Sequence, residues 1–287
     1  MILVTGATGI VGRAVVDHLL AAGAPVRALT RRPDTAALPA AVDVVRADPG
    51  EPETLPAALK GVDRMFLLTA GPYLAAYDAN LAEAAADAGV THIVKLSSGR
   101  VDDPAATDPI PTWHRAGERA IRGSGIPWTM VRPLGFMSNA LHWSHTVRTQ
   151  DTVYAPFGHG RIAAIDPADI AAVATTILTE PRLAESGHRD RTYLLSGPEP
   201  LSPAEQTEIL SDVLGRSLRY AETSPAEARD ALLRFGVDDT MANAIMALRA
   251  TALEAFTSVV HPDVEQITGR APRSFHDWAR EHRAVFI

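Results

Sequence analysis

Three glycines within the first twelve residues constrain this chain more than any other feature. Gly6, Gly9 and Gly12 stand at i, i+3 and i+6 in Val4-Thr5-Gly6-Ala7-Thr8-Gly9-Ile10-Val11-Gly12. The apolar run Ile2–Val4 precedes them, and a stretch of helical periodicity (Val11, Val15, Leu19) follows. A strand–turn–helix needs glycine at each place for a separate reason. One makes the tight turn, one lets the backbone approach a pyrophosphate, and one lets the helix lie close to the sheet. The helix start then offers unpaired N–H groups and the positive end of its dipole to phosphates. The motif predicts a dinucleotide site.

The rest of the first 135 residues repeats the alternation. Strands are expected at Ile2–Val4, Val26–Leu29, Val42–Val45, Arg64–Leu68, Ile93–Leu96 and Thr129–Val131. Helices are expected at Val11–Ala22, Glu53–Leu59, Tyr73–Ala88 and Trp113–Gly123, with Gly23, Gly89 and Gly125 where helices would end. This pattern predicts an α/β fold, a doubly wound parallel sheet covered by helices. Beyond residue 136 it loosens. Pro167–Leu178 reads as a helix and Thr192–Leu195 as a strand, while Pro203–Leu214, Pro225–Arg234 and Thr240–Phe256 read as helices. We expect residues 1–135 to form the dinucleotide-binding core and 136–287 a smaller, mostly helical substrate lobe, with elements near 151–200 returning to the core.

Composition excludes several function classes. There is no cysteine, so disulfides, thiolate metal sites and cysteine nucleophiles are absent. A net charge of -7 argues against nucleic-acid or anionic-membrane surfaces. No basic leader opens the chain, and no apolar run approaches the ~18 residues that span a bilayer. A cytoplasmic protein is expected, with a small molecule as partner; a homodimer is compatible with the pattern. His142 and His145 are three apart, but no carboxylate lies close in sequence to complete a metal site, so no metal is expected.

Arginine dominates the basic residues: only Lys60 and Lys95 are lysines, against 25 arginines. The second strand runs out into Thr30-Arg31-Arg32, where an NAD-binding chain places Asp or Glu against the ribose hydroxyls. Arginine there accommodates a 2′-phosphate instead, which favours NADP(H) over NAD(H). Asp48 either holds the adenine amino group or caps a helix over Glu51–Leu59.

These motifs carry a family resemblance over roughly residues 1–200. Thr5–Gly12, Thr30-Arg31-Arg32-Pro33, Leu59-Lys60-Gly61-Val62-Asp63, His114-x-x-x-Glu118, Ser124–Thr129, Arg132-Pro133, Phe136–Asn139 and Asp166–Ala171 together resemble NmrA-like atypical short-chain dehydrogenases/reductases. Within that group the chain is similar to NAD(P)H-dependent quinone and triphenylmethane reductases. The resemblance implies a Rossmann-like fold. It also implies pyrophosphate contacts from Thr8 to Val11 and a 2′-phosphate read by Arg31. Thr69 and Ala70 would border the adenosine ribose, and Ser97 and Pro133 would lie near the nicotinamide.

One departure matters. The wider family uses Tyr-x-x-x-Lys, in which lysine lowers the tyrosine pKa for proton transfer to a carbonyl. None of the five tyrosines here has lysine four residues later, and counting back from Glu118 puts His114 at the lysine position and Ile110 at the tyrosine position. Hydride transfer to a quinone-like or other conjugated aromatic acceptor tolerates that loss, because the added charge is delocalised. His114 is the candidate hydrogen-bond donor, or it binds the nicotinamide ribose or caps its helix. Phe136, Met137, Asn139, Trp143 and Phe157 are the candidate substrate wall, or core of the second lobe. The expected activity is an NADPH-dependent oxidoreductase. The rivals are a non-catalytic NADP(H) sensor and an isomerase or tailoring enzyme acting on an aromatic without net redox.

Overall fold

The computed structural model describes residues 1–103 and 106–287. Strands and helices alternate first: β1 (Ile2–Val4), α1 (Ile10–Ala21), β2 (Val26–Thr30), β3 (Asp43–Arg46), α2 (Leu55–Leu59), β4 (Arg64–Leu67), α3 (Leu74–Asp87), β5 (His92–Leu96), α4 (Pro109–Gly123) and β6 (Trp128–Pro133). Then come α5 (Ser144–Gln150), β7 (Thr152–Ala155), α6 (Pro167–Thr179), β8 (Arg191–Leu195), α7 (Pro203–Leu214) and β9 (Arg219–Glu222). Four helices finish the chain: α8 (Pro225–Arg234), α9 (Asp239–Ala250), α10 (Asp263–Thr268) and α11 (Phe275–Glu281). Two compact units result. One holds Met1–Pro133, Pro167–Leu194 and Gln266–Gly269; the other holds Leu134–Asp166, Leu195–Glu265 and Arg270–Ile287.

The first unit is built on a seven-stranded sheet in the order β3-β2-β1-β4-β5-β6-β8. Its strands β1 to β6 pair in parallel. The order reverses between β1 and β4, and ligands in such sheets bind at the carboxyl ends of the strands at that switch point. Helices cover both faces, so β1 and β5 are buried along their whole length. α1 packs beside α6, and α3 beside α4. Leu3, Leu59, Met65, Leu81, Ile93 and Met130 share one apolar cluster. Gly23, Gly89 and Gly125 follow α1, α3 and α4 with left-handed φ of +73°, +77° and +77°; at α1 and α3 the glycine N–H groups bond the Leu20 and Ala86 carbonyls.

The second unit contains a two-stranded parallel ribbon, β7 with β9. Its helices begin with strong local signals. Ser202 and Ser224 each accept from the backbone N–H three residues on, while Glu205 and Glu227 reach back, closing capping boxes at α7 and α8. One apolar cluster gathers Val147, Val153, Leu210, Phe275, Trp278 and Phe286. A second lies between α8 and α9, with Ala228, Leu232, Ala242 and Met246.

The α/β fold with a Rossmann-like sheet is as expected. Two local expectations differ, and one element was not expected. The helix expected over Thr240–Phe256 stops at Ala250, where the Thr251 hydroxyl bonds the Leu248 carbonyl and two short 3-10 turns follow. The Glu53–Leu59 helix begins only at Leu55, after a 3-10 turn over Pro52–Thr54. The β7–β9 ribbon carries no sequence signal of its own: each strand is four residues long, and β7 is held by pairing with β9 and by Val153 packing into the apolar cluster.

Candidate dinucleotide site

The glycine turn follows from close approach. Gly6 has φ +64°, a conformation that an L side chain adopts only at a cost. A Cβ on Gly12 would sit 2.1 Å from the Gly6 carbonyl oxygen, so α1 can begin this close to the turn only with glycine there. Gly9 caps α1 without any side-chain hydrogen bond, and the first turn holds no acidic residue. Thr8, Gly9 and Ile10 are exposed, while Val11 and Gly12 are buried. The helix start therefore presents its N–H groups outward, which fits a pyrophosphate.

Beside this turn lies a cavity of about 290 Å³ lined by Thr8, Thr30, Arg31, Arg32, Thr35 and Ala36. Both arginines are exposed, and among the described residues neither guanidinium has a hydrogen-bond or ion-pair partner. Two uncommitted cations at the end of β2, next to a phosphate-ready turn, suit a 2′-phosphate. Thr30 belongs to the motif that carries the arginine pair, while Thr35 and Ala36, three and four residues beyond Arg32, join the lining with no sequence signal of their own. Asp48 does not cap a helix over Glu51–Leu59. Its Oδ1 accepts from the Gly50 N–H at 2.8 Å, closing a turn ahead of that segment.

Two buried ionic networks stand at the ends of β4, β5 and β6. In the first, the Lys95 ammonium pairs with Asp78 at 2.9 Å, and both side chains are fully buried. Thr69 donates to Asp78 Oδ1 at 2.5 Å and accepts from Lys95 at 3.1 Å, so its hydroxyl is turned inward rather than left free for a ribose. Ala70 is exposed. In the second, Arg132 grips the Glu118 carboxylate with Nε at 2.8 Å and Nη2 at 2.5 Å. Ser97 donates to the same carboxylate at 2.6 Å, Arg122 adds a contact at 3.0 Å, and Arg132 also pairs with Asp102. Burial pushes the Glu118 carboxyl up, but the bonds and charge of Arg132, then Ser97 and Arg122, outweigh it and hold the group below its ordinary value. Pro133 is buried where β6 ends. Glu118 and Arg132 stand in separate motifs of the sequence, and the fold brings them together.

His114 lies on α4, one turn before Glu118. Burial, then the charges of Lys95 and Arg132, lower its pKa to about 3. Its Nδ1 is buried without a hydrogen-bond partner. At neutral pH it is an uncharged imidazole.

The residues expected to line a substrate belong to the second unit and do not form one cluster there. Met137 is 3% exposed and packs with Val147, Val153 and Trp278, as Trp143 does in part. Phe157 packs against the α8–α9 cluster with φ +62°, a strained value for an aromatic residue. Phe136 is half-buried and pairs with Ile165, and Asn139 is exposed. His142 falls in the 3-10 segment Met137–Trp143 and His145 in α5, so they do not share one helix. Among the described residues, no three His, Asp or Glu are placed to hold a metal. No described helix is long and apolar enough to cross a membrane.

A model of NAD(P)H-binding domains matches residues 6–181. The chain belongs to this NAD(P)H-binding family. Two relatives match it from end to end. It is 44% identical to (4-alkanoyl-5-oxo-2,5-dihydrofuran-3-yl)methyl phosphate reductase of Streptomyces griseus, over 100% of this chain and 99% of that protein. It is 37% identical to the NAD(P)H azoreductase of Xenophilus azovorans, with the same coverage. Among solved structures it resembles the NADPH-dependent quinone oxidoreductase of Escherichia coli in complex with NADPH (TM-score 0.84, 26% identity, 99% of this chain and 100% of that one). The Citrobacter triphenylmethane reductase complexed with NADP(H) matches at TM-score 0.82, 26% identity and 98% and 99% coverage. The expected resemblance and NAD(P)H binding are thereby borne out, and full-length kinship with reductases supports the expected oxidoreductase.

Proposed function

We propose that this NAD(P)H-dependent oxidoreductase acts in the cytoplasm, prefers NADPH to NADH, and reduces quinone-like or other conjugated aromatic acceptors. The observation that carries the preference is the two-arginine cavity beside an uncapped glycine turn. Thr8, Gly9, Ile10 and Val11 would hold the pyrophosphate, and Arg31 with Arg32 the 2′-phosphate. Bound NADPH supplies a hydride.

The chain's own contribution is orientation and a fixed electrostatic setting rather than a strong acid. His114 stays neutral, so it does not deliver a proton as an imidazolium. With Nδ1 buried and unpartnered, the neutral ring would act through an Nε2–H hydrogen-bond donor. Such a donor steadies oxyanion character on an acceptor, and water supplies the proton that completes a quinol. A quinone accepts hydride on these terms; an azo bond takes hydride on one nitrogen and a proton from water on the other, and a triphenylmethane cation is neutralised by the hydride alone. The relatives named for such substrates support this choice.

The test is a screen of NADPH oxidation, followed by the loss of its near-ultraviolet absorbance, against simple quinones, azo dyes and triphenylmethane dyes. Turnover with at least one class is expected. Tight NADPH binding with no turnover on any acceptor would overturn the reductase and favour a non-catalytic sensor. Arg31→Ala should weaken NADPH at least about ten-fold more than NADH, the loss of a charge-assisted contact; equal effects would remove the cofactor assignment.

A further inference from the structure

The loop bearing the arginine pair is tied down by a third arginine. Arg13 sits in the first turn of α1, immediately after the glycine that lets that helix start so close to the turn. Its Nη1 donates to the Ala37 carbonyl at 2.8 Å and its Nη2 to the Ala36 carbonyl at 3.2 Å. The guanidinium thus bridges the phosphate-binding helix and the loop after β2, more than twenty residues away in sequence.

That loop is weakly held by its own bonds. The Arg32 N–H reaches Thr30 Oγ1 at 3.2 Å, the Thr35 N–H reaches the Arg32 carbonyl at 3.4 Å, and the Ala36 N–H reaches that of Pro33 at 3.1 Å. Ala37 has φ +46°, a left-handed conformation that an alanine does not hold without outside support. Thr35 and Ala36 line the cavity together with Arg31 and Arg32. Both cavity arginines are exposed, long and uncommitted, so where their charges converge depends on where the backbone beneath them is held.

We infer that Arg13 is a positioning residue for NADP(H) specificity: by clamping the Ala36 and Ala37 carbonyls it holds the loop in the shape that aims Arg31 and Arg32 at the 2′-phosphate. The inference rests on the NADPH preference proposed above. Arg13 acts on the one part of the dinucleotide that NADH lacks, so its removal should be felt selectively. Lysine is no full substitute, because one ammonium lacks the planar fork that bridges two carbonyls.

Calorimetric titration of wild type, Arg13→Met and Arg13→Lys with NADPH, NADH, 2′,5′-ADP and ADP tests this without turnover. Arg13→Met should weaken NADPH and 2′,5′-ADP about ten-fold and change NADH and ADP less than about two-fold, with Arg13→Lys between wild type and Arg13→Met. Thermal melting checks that each variant is folded; if Arg13→Met is not, Arg13→Lys carries the same selective expectation. Equal weakening of all four ligands would overturn the proposal, since Arg13 would then merely support the start of α1. So would unchanged binding of all four. A wild type that binds NADPH and NADH equally would fail the cofactor reading and this proposal with it. A wild-type preference that survives intact in a folded variant would fail this proposal alone.

Discussion

Gly9 and Gly12 occupy the same motif but answer to different demands. A Cβ on Gly12 would collide with the Gly6 carbonyl at 2.1 Å, whereas one on Gly9 would meet that oxygen at 3.4 Å, an ordinary contact. Gly12→Ala is therefore expected to cost roughly 3 kcal/mol of stability from overpacking against backbone that cannot yield. Gly9→Ala should cost about 1 kcal/mol or less, since glycine itself is a fair cap and nothing is crowded. It should nevertheless weaken NADPH binding, because the methyl group lies where a pyrophosphate must approach. Urea unfolding and NADPH titration of both variants separate the two demands; similar stability losses would show that they are not distinct. At this scale the motif was legible in full, because the glycines are adjacent in sequence and their geometry is local.

Where α3 crosses α4, Gly117 lets Asp78 come close: a Cβ there would stand 2.2 Å from Asp78 Oδ2. The gap admits the carboxylate that meets Lys95 from β5. A fully buried pair of this kind adds little over an apolar pair of the same shape, yet breaking it strands a charge. Lys95→Met is expected to cost about 3–5 kcal/mol. Adding Asp78→Asn should recover more than about 1 kcal/mol of that, because the stranded charge is gone. A double-mutant cycle by urea unfolding measures the coupling, and simple additivity would refute it. Lys95 is legible in the sequence as a residue of the fifth strand, outside any Tyr-x-x-x-Lys pattern; Asp78 is not, because its partner lies on another element.

Across the whole molecule, buried histidines make stability depend on pH. His92, 1% exposed, donates from Nε2 to Thr129 Oγ1 at 2.9 Å, and that hydroxyl passes its proton bond on to the His188 carbonyl at 2.7 Å. Burial, then the charge of Arg64, lowers its pKa from 6.5 to about 4. The unfolded chain takes up this proton below 6.5 and the folded chain only below about 4. Stability is thus fully present above 6.5 and falls on acidification through that window, by up to about 1.4 kcal/mol per pH unit. His114 acts in the same direction. Urea unfolding at pH 7 and pH 5 should show a smaller acid loss in His92→Gln than in wild type; an equal loss would exclude His92 as a source.

The alternation of short apolar runs with helical periodicity determined the sheet, its parallel strands and the dinucleotide turn, since each depends on neighbours a few residues apart. Arg31 and Arg32 were legible for the same reason, directly after a strand. Tertiary structure alone decided the rest. It joined Ser97, Glu118 and Arg132, separated Phe157 from Met137 and Trp143, turned the Thr69 hydroxyl inward, and brought Arg13 to the Ala36 and Ala37 carbonyls. The physical reason is common to all four. Periodicity and turn chemistry report what a residue does to its own segment, whereas charge pairing and burial depend on which segments the fold lays side by side.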